Sequence, residues 1–270
     1  MPELPEVETI VRGLSSAIAG RRITKVEIRL PKIAQAPPGV SFERAVTGQT
    51  VVDVTRRGKY AVIELSGGGS LVTSLRMTGR LVVASPSQSD FRGTHVVLRF
   101  ADGGRLSFAD VRTFGRMRLV EPGEPWDRDL GVEPLSSGFT QEAFIGMLAG
   151  RTTPVKALLL DQRRIAGIGN IYACEALWEA RIRPSRPAKA LTKPAIRRLY
   201  HAVVDVLTRA IELRGTSVDD YVDADGLRGG FQNVLSVYGR LGEPCPRCGG
   251  PIVRTVLAQR GTWWCRRCQR

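Results

Sequence analysis

Four cysteines near the C-terminal end constrain this chain more than any other feature. Cys245-x2-Cys248 and Cys265-x2-Cys268 are separated by sixteen residues. Two such knuckles present four thiolates tetrahedrally to Zn²⁺. Nothing around them has the pattern of a thioredoxin unit, and their clustering in a chain without an export signal favours metal over disulfides. Protein ligands fill every position, so one structural Zn²⁺ is expected, holding together a tail too short to fold alone. Between the knuckles, "IVRTVLA" and "TWWC" read as the arms of a hairpin with Gln259-Arg260-Gly261 at its tip. From Cys245 onward there are six Arg and no Asp or Glu. A rigid hairpin carrying Arg at its tip reads as a nucleic-acid contact.

The whole chain carries the same sign of charge. Forty Lys+Arg stand against 26 Asp+Glu, a formal net charge of +14 over 270 residues, and the sequence pI is near 10.3. A polyanionic partner is implied, with nucleic acid ahead of a ribosome or an anionic lipid surface, because basic faces gain affinity by releasing condensed counterions. No apolar run reaches the length of a membrane span. The acidic N-terminus lacks the layout of a secretory signal. A cytoplasmic protein with no membrane partner is therefore expected.

Patterning divides the chain. "ITKVEIRL", "VVDVTRR", "YAVIEL", "LVTSLRM" and "HVVLRF" are short β-branched runs joined by Gly-containing turns. "FADGGRLSFAD" reads as a hairpin turning at Asp102 to Gly104. Together with one N-terminal helix they predict an α+β fold with a β-sandwich or barrel core. A Pro/Gly/Asp/Ser stretch from Glu121 to Gly138 reads as a linker. Helices are expected beyond it in "TQEAFIGMLAG", capped by Thr140, in "TPVKALLLDQ", in "NIYACEALWEARI", and in "KPAIRRLYHAVVDVLTRAIELRG", which stops at Gly215. "DADGLRGGFQN" reads as a mobile loop. Before the third helix, Gly167-Ile168-Gly169-Asn170 offers a tight turn whose free N–H groups suit a phosphate, with Asn170 capping the helix or donating its amide.

The opening, "MPELPEVET", carries chemistry. Pro5, Glu6 and Glu8 suit a helix start, and Val7, Ile10, Val11, Leu14 and Ile18 give that helix one apolar face from about Pro5 to Ile18. Pro2 and Glu3 are left unexplained. If Met1 is removed, Pro2 becomes a secondary amine, and terminal amines titrate near ~8. Such an amine attacks an aldehyde-like carbon to form an iminium, and Glu3 beside it is placed to move a proton.

These pieces resemble the formamidopyrimidine-DNA glycosylase family of bacterial base-excision repair enzymes. "MPELPEVET", "RRGKY", "LRMTGRL", "DVRTFGRM", "LLLDQ", "GIGNIYA", "FQNVLSVYGRLGEPCPRCGGPI" and "RGTWWCRRCQ" follow the family in order over nearly the whole chain. The resemblance implies an N-terminal catalytic β-sandwich with flanking helices (1–130), a helical domain with a helix–two-turn–helix (131–240) and a zinc finger (241–270). DNA would run between the two halves with the damaged nucleotide turned out of the stack. It implies Pro2 as nucleophile at C1′, Glu3 as proton donor to the sugar ring oxygen, Glu6 in support and Lys59 contacting DNA beside the lesion. Elimination of the 3′ and then the 5′ phosphate would leave a one-nucleotide gap. Asn170 and Arg260 match the phosphate-gripping pair, and Lys156, Tyr238 and His95 are carried over as DNA-binding residues. Met77, Arg112 and Phe114 match the set that fills the gap left by the extruded base, apolar wedges with an Arg for the orphaned partner. Met77 and Phe114 would otherwise read as core.

Leu4 and the Met/Arg/Phe set favour the oxidised-purine branch, with 8-oxoguanine and formamidopyrimidines as substrates, over the endonuclease VIII branch, which prefers oxidised pyrimidines. Ser74, Cys174, Gln259 and Trp263 depart from the family pattern. None of them removes the nucleophile, the acid or a zinc ligand, and Cys174 reads as a small buried residue. A non-catalytic zinc-ribbon DNA-binding protein is the competing reading. A ribosome-associated basic protein would explain the charge and the zinc but not the opening. The expected working form is a monomer on damaged double-stranded DNA, associated with the bacterial nucleoid.

Overall fold

The N-terminal helix α1 spans Leu4–Ile18 and its apolar stripe is buried along its length. The chain continues through β1 (Ile23–Ile28), β2 (Ala34–Gln35), α2 (Phe42–Val46), β3 (Val51–Arg57), β4 (Tyr60–Leu65), β5 (Ser70–Ser74), β6 (Gly79–Ala84), β7 (Thr94–Phe100), β8 (Arg105–Asp110) and β9 (Arg116–Val120). Helices α3 (Gln141–Leu148), α4 (Val155–Leu160), α5 (Asn170–Glu179) and α6 (Lys193–Glu212) come next, then β10 (Ile252–Leu257) and β11 (Arg260–Cys265). The computed structural model describes residues 1–217 and 227–270. Of the stretch expected to be a loop, 223–226 lies outside the described residues, and Phe231–Val234 forms a 3-10 turn.

Two sheets form in the first half, in the orders β1-β7-β8-β6 and β2-β9-β5-β4-β3. Alternation of side chains along each strand sends one set inward. Ile23 and Val26, Leu98 and Phe100, and Leu106 and Phe108 from the first sheet meet Val54, Ile63, Leu71, Met117 and Leu119 from the second in one core. Val7, Ile10, Leu14 and Ile18 of α1 and Phe42 and Val46 of α2 complete it, so the expected β-sandwich with flanking helices is the observed architecture. The outer face of the second sheet buries Val62, Val72 and Val120 beneath Trp126, whose ring meets Tyr60 edge-on at 5.6 Å. Thus the first part of the expected linker is packed rather than loose. Its Asp127 pairs with Arg57 at 2.7 Å.

The chain forms two compact units, one of Met1–Arg128 with Leu213–Gly230, the other of Asp129–Glu212 with Phe231–Arg270. Two boundaries differ from those expected. Of Leu213–Gly230, the described residues, 213–217 and 227–230, group with the sandwich rather than with the helices, and the cysteine hairpin does not stand apart from the helices. The hairpin shares its core with α5, where Cys174 and Trp178 pack against Val237, Cys245, Ile252 and Cys265. Among the described residues, no helix is long and apolar enough to cross a membrane.

Candidate active site and nucleic-acid interface

In the sandwich unit, Pro2 and Glu3 are buried immediately ahead of α1. Glu3 is the N-cap, and Glu6 is the third helical residue. Glu6 Oε2 accepts the Glu3 N–H at 2.8 Å, the backward reach of a capping box. Its other oxygen accepts the Thr216 N–H at 2.7 Å. Glu6 is therefore a helix-start acid and also a tether between the N-terminus and the returning segment. Gly215 makes the tether possible. It adopts φ +80°, and a Cβ there would lie 2.9 Å from Glu6 Cγ.

Lys59 sits half-buried in the turn between β3 and β4, whose flanking residues Arg57 and Tyr60 face each other. Arg56 ties that turn to α1. Its Nε donates to Glu8 at 2.8 Å and its Nη1 to the Gly58 carbonyl at 3.1 Å. Burial works to raise the Glu8 pKa, but hydrogen bonds from Arg56 and Arg12 outweigh it and hold the carboxyl below its ordinary range. The sequence reading missed Arg56, Glu8 and Thr216, and one sequence carries no signal for them.

Met77, Arg112 and Phe114 come together on two neighbouring loops of the same unit. The run "LVTSLRM" does not remain a strand to its end. β5 stops at Ser74 and Met77 lies in a turn. Met77 is 41% exposed and Phe114 53%, so neither belongs to the core. An Arg112 Nη1 stands 3.1 Å from Met77 Sδ, and the guanidinium lies 4.9 Å from the Phe114 ring centroid. His95 is beside them, its Nε2 2.9 Å from the Asp110 carbonyl oxygen. Ser74 is half-buried opposite Tyr60 and Arg116.

In the second unit, Lys156, Asn170 and the hairpin meet. Lys156 is fully buried. Its ammonium donates to Asn170 Oδ1 at 2.6 Å, Thr262 Oγ1 at 2.7 Å and the Gly261 carbonyl at 3.2 Å. Asn170 Nδ2 donates to the same carbonyl at 2.9 Å. Asn170 is not the helix cap. Gly169 takes that place, and its carbonyl accepts the Ala173 N–H at 3.0 Å. The amide of Asn170 is thereby available to join the helix start to the hairpin.

The hairpin tip is also displaced from its expected position. Leu257 faces Arg260 across the strands, so the turn is Ala258-Gln259, both left-handed at φ 49° and 58°. Arg260 is exposed at the first position of β11, and its carbonyl accepts the Thr262 hydroxyl at 3.1 Å. Tyr238 stacks obliquely on Trp263 at 4.5 Å. It is fixed by a residue the sequence reading did not single out. Buried Glu175 accepts the N–H groups of Ser236, Val237 and Tyr238 at 2.8, 2.9 and 2.8 Å.

Cys245, Cys248, Cys265 and Cys268 place their sulfurs within 4.8 Å of one another. The Cys245–Cys268 and Cys248–Cys265 separations are 3.8 and 3.5 Å. Four sulfurs ~2.3 Å from a tetrahedral Zn²⁺ stand ~3.8 Å apart, so the donor set fits one structural zinc. Burial raises the Cys245 thiol, but hydrogen bonds from the Trp178 indole and from backbone N–H groups bring it down to about 6. Cys174 lies outside this cluster, fully buried, and burial pushes its thiol up to about 11.

The comparisons with known proteins divide the chain into three stretches. Residues 1–117 match the model of the formamidopyrimidine-DNA glycosylase N-terminal domain. Residues 130–222 match that enzyme's H2TH domain, and residues 242–270 match a zinc finger found in FPG and IleRS. The formamidopyrimidine-DNA glycosylase of Pelotomaculum thermopropionicum is 46% identical over 100% of this chain and 99% of its own. The crystallised Lactococcus lactis Fpg in complex with DNA containing an abasic site superposes with a TM-score of 0.91 at 36% identity, covering 99% of both chains. The same enzyme in complex with Fapy-dG DNA gives 0.90 at 35% identity, covering 99% of this chain and 100% of that one.

Proposed function

Because the chain belongs to the formamidopyrimidine-DNA glycosylase family, we propose that the amine freed at Pro2 by removal of Met1 is the nucleophile of this base-excision repair enzyme. The enzyme is a DNA glycosylase of the kind that also cleaves abasic sites. The amine attacks C1′ of the damaged nucleotide, the bond from C1′ to the base breaks, and the base leaves. Glu3 protonates the sugar ring oxygen as the ring opens to the iminium. The cation makes the C2′ proton acidic. Loss of that proton expels the 3′ phosphate, and a second elimination expels the 5′ phosphate. Water then releases Pro2 from the sugar remnant.

The observation that carries this reading is the anchoring of the N-terminus. Pro2 is buried against a helix start whose Glu3 N–H is held by Glu6, itself held by Thr216. A nucleophile needs such restraint, because orientation supplies much of the rate. A cap alone would not need the second bond to a segment 210 residues away.

Oxidised purines, 8-oxoguanine and formamidopyrimidines, are the proposed lesions. Lys59 joins Pro2, Glu3 and Glu6 in the catalytic set, contacting DNA beside the lesion; His95, Lys156, Asn170, Tyr238 and Arg260 bind DNA, and Met77, Arg112 and Phe114 enter the gap. Damaged double-stranded DNA is the partner, and the protein works as a monomer in the bacterial cytoplasm, on the nucleoid and away from membranes. The zinc site supplies rigidity to the hairpin and takes no part in the bond-making steps.

The test is borohydride trapping on a duplex with one 8-oxoguanine opposite cytosine, alongside a chain blocked at its N-terminus. A covalent adduct that disappears on blocking supports both amine and lesion. An adduct only on an oxidised pyrimidine or an abasic site keeps the amine and overturns the lesion. An adduct that survives blocking moves the nucleophile to a lysine.

A further inference from the structure

The two loops that present Met77, Arg112 and Phe114 share a buried carboxylate. Asp110 ends β8 and is 1% exposed. Its Oδ1 accepts the Thr78 hydroxyl and the Arg112 N–H, the latter at 3.2 Å. Its Oδ2 accepts the Gly115 N–H at 2.6 Å. The Thr78 hydroxyl oxygen also lies 3.2 Å from the Arg112 nitrogen. Thr78 is the residue after Met77, and Arg112 and Gly115 bracket Phe114. One side chain therefore reaches both loops.

These loops are not relaxed. Arg76 and Thr113, the neighbours of Met77 and Phe114, adopt φ 55° and 56°, the left-handed region that ordinary residues avoid and β-branched ones enter only under constraint. Such conformations persist where the surroundings over-determine them. Gly115 is equally confined, since a Cβ there would lie 2.7 Å from Phe108 Cζ and 3.1 Å from Asp110 Oδ2. All three groups that meet the Asp110 carboxyl are donors, which suits an ionised carboxylate. An amide would turn an NH2 against one of them.

We propose that Asp110 is the positioning residue of the DNA-entering set. Through Thr78 on one side and the N–H groups of Arg112 and Gly115 on the other, it holds Met77, Arg112 and Phe114 as one preformed unit. Ordering them is then not charged against turning out the nucleotide. The inference rests on the reading of those three residues given above.

The test uses the full-length, zinc-loaded enzyme and the variants Asp110→Asn, Thr78→Val and Thr78→Ser. Two single-turnover rates are compared: excision of 8-oxoguanine from a duplex, and strand scission at a preformed abasic site, where no base remains to be extruded. A 2-aminopurine beside the lesion reports unstacking. Asp110→Asn is expected to slow excision about tenfold more than scission, the consequence of ~1.4 kcal/mol taken from one step only, and to weaken the unstacking signal. Thr78→Val is expected to move both readouts the same way by less, and Thr78→Ser to restore them. Parallel loss of both rates, or no change in their ratio, overturns the proposal. If Asp110→Asn does not fold, the Val/Ser pair at Thr78 decides alone by the same ratio. Arg112→Ala and Phe114→Ala separate the two readings. If they leave unstacking intact, the wedge assignment fails. If they abolish it while Asp110→Asn does not, only the role of Asp110 fails.

Discussion

Replacing Lys156 by Met isolates what a buried ammonium contributes to the grip on DNA. Methionine keeps the apolar stem but donates nothing. Among the acceptors described above, the Gly261 carbonyl retains the Asn170 amide at 2.9 Å. Asn170 Oδ1 and Thr262 Oγ1 lose their donor. Each orphaned acceptor costs ~1–3 kcal/mol, while removing the ammonium returns a desolvation penalty of several kcal/mol. These terms nearly cancel, and the unfolding free energy of the zinc-loaded protein from urea titration is expected to fall by no more than ~1 kcal/mol. DNA affinity should respond differently. With Oδ1 released, the Asn170 amide keeps its Nδ2 bond to the Gly261 carbonyl but loses the one that fixed its other end, and weakening one ordered hydrogen bond to a phosphate lowers binding ~3–10-fold. Lys156→Ala adds a cavity and should lose a further ~2 kcal/mol or more of stability with little extra loss of affinity. Fluorescence anisotropy on a duplex with an abasic analogue, at constant salt, reads the affinity. Unchanged affinity in Lys156→Met refutes the idea that this lysine orders Asn170. A stability loss above ~3 kcal/mol refutes the cancellation and makes the residue a structural post.

Arg260→Ala should lower the slope of log K against log salt by ~0.9, one phosphate contact, in binding titrations over a salt series. Glu175 is raised above its ordinary pKa, chiefly by burial. The folded carboxyl thus holds its proton more tightly than the unfolded one, so this group's contribution is greatest below about 4.5 and declines as pH climbs to the raised folded value. The unfolding free energy of Glu175→Gln from urea titrations should lack that slope while lying ~1–3 kcal/mol lower, because an NH2 then faces one of three backbone donors. Gln259→Gly should raise hairpin stability by ~1 kcal/mol by relieving one left-handed residue, measured as slower zinc release to a chelator.

The fold was largely legible because its signals are local. Alternating β-branched runs, a polar linker and capped amphipathic helices each restrict the chain over a few residues, and α1, the β7–β8 hairpin and the Thr140 cap form where the pattern places them. The errors lie where local patterns compete. Asn170 looks like a cap, but Gly169 before it has the extended backbone a cap needs. Arg260 looks like the middle of a turn, but the register pairs it with Leu257. The return of the chain at Thr216 to the sandwich is a long-range contact with no local signature.

The site divides along a different line. Residues proposed for chemistry or for metal were visible because few residue types can serve: a near-terminal proline, an adjacent acid, four spaced thiols. Of the residues that hold them in place, Glu6 was named as a helix-start acid in a supporting role, while Asp110 and Glu175 were not singled out. Glu6 is fixed to Thr216, Asp110 to Arg112 and Gly115, and Glu175 to Ser236, Val237 and Tyr238, in each case through backbone N–H groups. Every residue but proline offers such a donor, so the partner leaves no mark in the sequence. The acid itself looks like any helix-start or strand-end carboxylate. Three buried carboxylates thus recur in one role, each converting a loop's spare N–H groups into a fixed frame. The same logic explains why a basic chain keeps acids in its interior. Lys156 and Arg105 are buried as well, but the donors these three carboxylates satisfy are chiefly backbone ones, and a carboxylate offers two acceptor oxygens at a single point.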